Sequence, residues 1–60
     1  MKNSEFLKWL ITRGVMVKQG GKHYRLYFND RRSTMPRHPG KEIHEGLRRA
    51  ILKQLGLTEH

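Results

Sequence analysis

No cysteine occurs in the 60 residues of this chain, so neither disulfides nor thiolate-bound zinc can brace it. No run approaches the ~20 consecutive apolar residues of a membrane span, and the first residues carry no signal-peptide apolar block. A cytoplasmic protein with no membrane attachment is the expectation. Acidic residues are scarce: five Asp and Glu stand against thirteen Lys and Arg, a formal net charge of +8. No close pair of metal-ligating side chains stands on one element, so neither a metal nor another cofactor is expected. Nor does a glycine-rich loop lead from a strand into a helix, which removes the usual phosphate cradle of nucleotide-binding folds. A Ser/His/Asp arrangement would have to recruit Ser33 with Asp30, and a chain this short has little with which to build a substrate pocket around them.

What remains is small and strongly basic. Residues 1–60 leave room for one domain, and folding at this size buries only ~60% of the surface of the unfolded chain. Such a chain rests on one small core or leans on a partner. Its positive field attracts polyanions: nucleic acid, an anionic membrane or an acidic protein surface. The plain alternative is a charged surface that keeps a small domain soluble.

Along the chain, residues 4–13 read as a helix. Ser4 can cap it, and Glu5 suits the positive end of the helix dipole. Phe6, Leu7, Leu10 and Ile11 recur at helical spacing, Trp9 sits beside Phe6 at the core edge, and Gly14 is a natural stop. Val15–Lys18 is a short strand-like run, and Gln19–Lys22 is a turn. His23–Phe28 then alternates: Tyr24, Leu26 and Phe28 fall on a core face, and His23, Arg25 and Tyr27 on the other. Asn29-Asp30 makes a two-residue hairpin turn into a third strand, Arg31 to about Met35, which Pro36 ends. Residues 36–42 form a rigid loop with two prolines. A second helix runs from His44 or Glu45 to Leu55, with Leu47, Ile51 and Leu55 down one face and Gly56 as its stop. The expected class is α+β: a three-stranded antiparallel sheet with both helices on one face, in the order αβββα. The opposite face is left open, and function is to be sought there.

Histidine is the only residue type here suited to titrating near neutrality. His60 is the last residue, His44 sits at a helix start, and His38 lies between Arg37 and Pro39 in the rigid loop. His23 differs in place: it follows a Gly-Gly turn, shares its face with Arg25, and has Lys22 directly before it. RNA cleavage asks little of a protein, because the substrate brings its own nucleophile, the 2′-hydroxyl. One base to take that proton, with cations to offset charge at phosphorus, can suffice. His23 with Lys22 and Arg25 can supply both. The acid for the leaving oxygen is open between Tyr27, His38 and water.

Three segments give the chain a family likeness. Gly20-Gly21-Lys22-His23 resembles the Gly-x-x-His element of the HicA family of toxin–antitoxin ribonucleases. Met35-Pro36-Arg37-His38-Pro39 is similar to its Val/Met-Pro-x-His-Pro loop, and Leu47–Leu57 to its closing Leu-Arg-x-Ile-Leu-Lys-Gln-x-Gly-Leu helix. The likeness runs from Ser4 to Leu57. Lys22 departs from it, since many members carry Ser, His or Asn before the histidine. The resemblance implies a fold like a double-stranded-RNA-binding domain, and ribosome-independent cleavage of mRNA with His23 as the catalytic residue. It also implies a HicB antitoxin that covers His23. Lys22, Arg25, Arg31, Arg32 and Arg37 are then assigned to RNA phosphates. The rival readings are a non-catalytic RNA-binding module on the same fold, and a protein-binding domain whose basic face serves an acidic partner.

Overall fold

The alternation of residues 23–28 and the helical spacing before and after the strands in the chain place every element. The computed structural model describes residues 1–38 and 40–57, so Pro39 and His60 lie outside the described residues. The order is α1 (Asn3–Thr12), β1 (Met16–Gln19), β2 (His23–Phe28), β3 (Arg31–Pro36) and α2 (Glu45–Leu55). The strands form an antiparallel sheet ordered β1-β2-β3, with β2 in the centre. Lys18 pairs with Arg25 and Arg25 with Thr34, while Leu26 lies between Val17 and Ser33. Phe28 pairs with Arg31, which leaves Asn29 and Asp30 as the expected two-residue turn, with Asn29 at φ 55°.

Phe6 and Leu10 from α1 join Ile51, Leu52 and Leu55 from α2 in one buried cluster with Leu26 and Met35 of the sheet. Both helices therefore cover the same face, as the pattern requires. Trp9 is half-buried and stacks on Phe6, the ring centroids 6.1 Å apart, with the Arg13 guanidinium 4.8 Å from its centroid.

Strand bounds shift by a residue, β1 taking in Gln19 and β3 Pro36, and three further details differ from the sequence reading. Lys2, not Ser4, is the N-cap of α1, and Glu5 closes the turn by accepting from the Lys2 N–H at 3.1 Å. The cause lies far along the chain. Lys2 bridges to Glu42, Asn3 N–H donates to the Lys41 carbonyl, and Ile43 N–H donates to Met1, so the first residues are tied down before the helix begins. In α1 only Phe6 and Leu10 of the apolar stripe are buried; Leu7 is half-buried and Ile11 faces solvent. In α2 the contact line is Arg48, Ile51, Leu52 and Leu55 rather than Leu47, Ile51 and Leu55. Leu47 is left exposed, and the mostly covered Arg48 side chain takes its place, ion-paired with Glu45 at 2.6 Å. Both lines have helical spacing, so periodicity alone does not choose between them. The stem of an arginine can cover apolar surface while its head stays paired or wet.

Gly56 ends α2 at φ 73°, and Leu57 N–H reaches back to the Leu52 carbonyl at 2.9 Å, with Leu57 packed on the core. A left-handed residue with this six-to-one bond is the expected helix stop.

Candidate RNA-cleaving site

Cross-strand partners in an antiparallel sheet share a face, so the register lists the outer surface directly. His23, Arg25 and Tyr27 of β2 stand beside Lys18 of β1 and Arg32 and Thr34 of β3. His23 and Arg25 are exposed and Tyr27 is half-buried, its ring centroid 5.7 Å from Lys18 Nζ. None of these residues is acidic. The sheet thus offers a polyanion a carboxylate-free surface with one imidazole at its end.

The turn that carries His23 is held from several sides. Gly20 N–H donates to the His23 carbonyl at 2.9 Å, and a Cβ on Gly20 would lie only 2.7 Å from that same oxygen. Position 20 therefore requires glycine, because the backbone closes on itself there. Nothing lies within 4 Å of a Cβ on Gly21, so the second glycine is not needed for space. Arg37, one residue past β3, locks the turn to the rest of the fold. Its N–H donates to the Lys22 carbonyl at 3.3 Å, and its Nη1 donates to the carbonyls of Gly20 and Gly21, each at 3.1 Å. Behind it the loop is fixed: the His38 carbonyl accepts from Asn3 Nδ2 at 2.9 Å and from Lys41 N–H at 3.0 Å. It is the backbone of His38, not its imidazole, that these bonds hold.

Two hollows meet at His23. One, about 280 Å³, is bounded by the Gly20–His23 turn together with Arg25 and Thr34. The other, about 490 Å³, brings His23 together with His38, and is completed by Gly21, Lys22, Pro36 and Arg37. A third, about 390 Å³, continues along the sheet past Arg25, Tyr27 and Arg32 to Gln54, whose side-chain oxygen accepts from the buried Ser33 hydroxyl.

Of the basic residues picked out from the sequence, Lys22 and Arg25 flank His23, and Arg32 lies two pairs further along the same face. Arg31 does not join them. It pairs with Phe28 of the core-facing set, and its side chain lies over the end of α2, with Cδ 3.1 Å from where a Cβ on Gly56 would be. A cation there meets the negative end of the helix dipole. Arg37 borders the site, but its guanidinium is bonded to the turn. Sequence reasoning missed that role, and it missed Asn3 and Gln54. Asn3 is 35 residues from the carbonyl it holds, and only the fold brings such residues together. Among the described residues no three His, Cys, Asp or Glu side chains converge as metal ligands, and no helix is long and apolar enough to cross a membrane.

The fold and the site together define a small basic αβββα domain that presents a histidine among cations on an open sheet. Residues 4–57 match the family model described as the HicA toxin of bacterial toxin–antitoxin systems, and the chain belongs to that family. It is 60% identical to the probable mRNA interferase toxin HicA of Escherichia coli K12, over 97% of this chain and all of that one. It is 56% identical to the probable mRNA interferase HicA 1 of Photorhabdus laumondii, over 95% of this chain and all of that one. Among solved structures it superposes on a chain of the E. coli HicAB toxin–antitoxin complex with a TM-score of 0.91, at 60% identity, covering 95% of this chain and 100% of that one.

Proposed function

We propose that this chain is the toxin of a toxin–antitoxin pair, an endoribonuclease that cuts mRNA without a metal ion and without the ribosome. The observation that carries the reading is the place of His23: exposed on a carboxylate-free face, beside Arg25, on a turn fixed by Gly20 and Arg37. The names of the relatives support the substrate class, since those proteins are called mRNA interferases. Such a substrate places the activity in the cytoplasm.

In the reaction, the 2′-oxygen attacks the adjacent phosphorus and its proton passes to the His23 imidazole. The bond from phosphorus to the 5′-oxygen breaks, and that oxygen takes a proton as it leaves. His38 lines the same hollow as His23, which supports it as the proton donor for this step, with Tyr27, in the neighbouring hollow with Arg32, and water as the alternatives. Lys22 and Arg25 offset the charge that builds on phosphorus. Arg32 contacts a phosphate further along the strand.

A HicB-type antitoxin is the expected partner, supported by the structural neighbour solved as a HicAB complex. Covering the open face would remove His23 from RNA and halt cleavage, and with it the arrest of translation and growth.

The test is cleavage of a defined RNA by the full chain and by His23→Ala, with analysis of the product ends. The wild type should leave 2′,3′-cyclic phosphates, survive EDTA, and lose on the order of 10²–10⁴ in rate on substitution, the usual contribution of a positioned base. Ends bearing a 5′-phosphate would overturn attack by the 2′-oxygen. Salt-sensitive binding with no product under any condition would reduce the chain to an RNA-binding module.

A further inference from the structure

Two carbonyls in the turn before His23 accept from one atom. Arg37 Nη1 binds the Gly20 and Gly21 oxygens, and the guanidinium reaches them from the side on which Tyr24 lies, its Cζ 5.5 Å from the Tyr24 ring centroid. Tyr24 packs against the core, so this is the helix-covered side of the sheet. The chain has no cis peptide bond among the described residues, and in a planar trans peptide the N–H points opposite to the C=O. Holding the Gly20 and Gly21 carbonyls toward Arg37 therefore turns the Gly21 and Lys22 N–H groups toward the outer side. That is the side of His23 and Arg25, where the smaller hollow opens. Neither amide has a hydrogen-bond partner among the described residues. Successive backbone N–H groups turned one way make a concavity that binds anions.

We infer that the Gly21 and Lys22 amides form a phosphoryl-oxygen site beside His23, held in place from behind by Arg37. The inference rests on the ribonuclease reading and deepens it. The ligand is a non-bridging oxygen of the phosphodiester under attack, or an oxygen of free phosphate. As phosphorus becomes pentacoordinate its non-bridging oxygens gain charge, and donors fixed in advance stabilise that charge without reorganising. Arg37 is then a positioning residue rather than a phosphate ligand. The Gly20 requirement belongs to the same device, since a side chain there would push the turn off the His23 carbonyl.

Inorganic phosphate titrated into the ¹⁵N-labelled full chain tests the site directly. The Gly21 and Lys22 amide signals should shift saturably and more than any others, and Arg37→Met should suppress those shifts. In kinetics, Arg37→Met should lower kcat by on the order of 10²-fold, the loss typical of a removed oxyanion donor, and leave KM nearly unchanged. A variant with raised KM at unchanged kcat would make Arg37 an ordinary phosphate contact and overturn the inference. So would phosphate shifts confined to other residues in the wild type, which decides the matter if Arg37→Met does not fold. Wild type that cleaves RNA while both amides ignore phosphate sinks only this site. Wild type that binds phosphate at both amides without cleaving sinks only the ribonuclease reading.

Discussion

Gly20 and Gly21 are neighbours with unlike duties, and substitution separates them. Alanine at position 20 puts a methyl group 2.7 Å from a backbone oxygen that cannot retreat without moving His23. Gly20→Ala should cost about 1–3 kcal/mol, in the range of an overpacked site, and lower cleavage further than the stability loss explains. Gly21→Ala has open space and should melt with the wild type. Urea melts of the two variants check both expectations, and equal midpoints would refute this account of the turn. Lys22 offers a different measurement. If its side chain neutralises one phosphate, Lys22→Ala should lessen the slope of log K against log salt by about 0.7 for single-stranded RNA. A fall in affinity with an unchanged slope would contradict that role.

At the scale of elements, α2 is set by its two ends. Glu45 accepts from Arg48 at 2.6 Å and from Arg49 at 3.2 Å. The Arg48 hydrogen bond first, then the charge of Arg48 and that of Arg49, hold the Glu45 carboxyl below its ordinary value of 4.5. A carboxyl whose pKa is lower in the folded state than in the unfolded one adds stability above the unfolded value, and this is lost as pH falls through the folded one. Acid melting below about pH 4.5 should therefore be shallower in Glu45→Gln than in the wild type. Identical acid profiles would show that solvent fully screens the charges of the two pairs. At the other end, Gly56→Ala forces a side chain into a left-handed residue against Arg31, and should destabilise by about 1 kcal/mol or more in thermal melts.

The elements themselves were legible in the sequence because each carries its own period. The alternation of β2 assigns its faces without any knowledge of the fold, and the face it leaves open is the one that holds His23. Residues that act through distant partners were not legible. Lys2 caps α1 because the chain near Glu42 returns to it, and Arg48 displaces Leu47 because two helical lines compete for one sheet. Arg37 and Arg31 look alike in composition. Yet one holds the turn of the candidate site and the other lies on the end of a helix, a difference that exists only once β3 is paired.

For the whole molecule the narrow margin of a 60-residue chain dominates. At roughly 0.05–0.15 kcal/mol per residue, total stability is about 3–9 kcal/mol, and one core truncation removes a large share of it. Ile51→Ala, at a site 1% exposed, should cost about 2–5 kcal/mol and leave much of the free chain unfolded at 37 °C. A partner that binds only the folded state adds stability through its own affinity. An antitoxin should thus rescue Ile51→Ala in a melt of the complex; no gain over the free variant would argue against a partner that grips the folded sheet.

The single tryptophan has a practical bearing on all of these measurements. Trp9 sits on the helical layer, stacked on Phe6 and roofed by Arg13, away from the open face that carries His23. Its emission should redden when the fold opens and stay constant when a strand of RNA settles on the far side of the sheet. The chain therefore carries its own optical label for folding, deaf to ligand, and any variant that fails to cut RNA can be sorted by colour into the unfolded and the merely inactive.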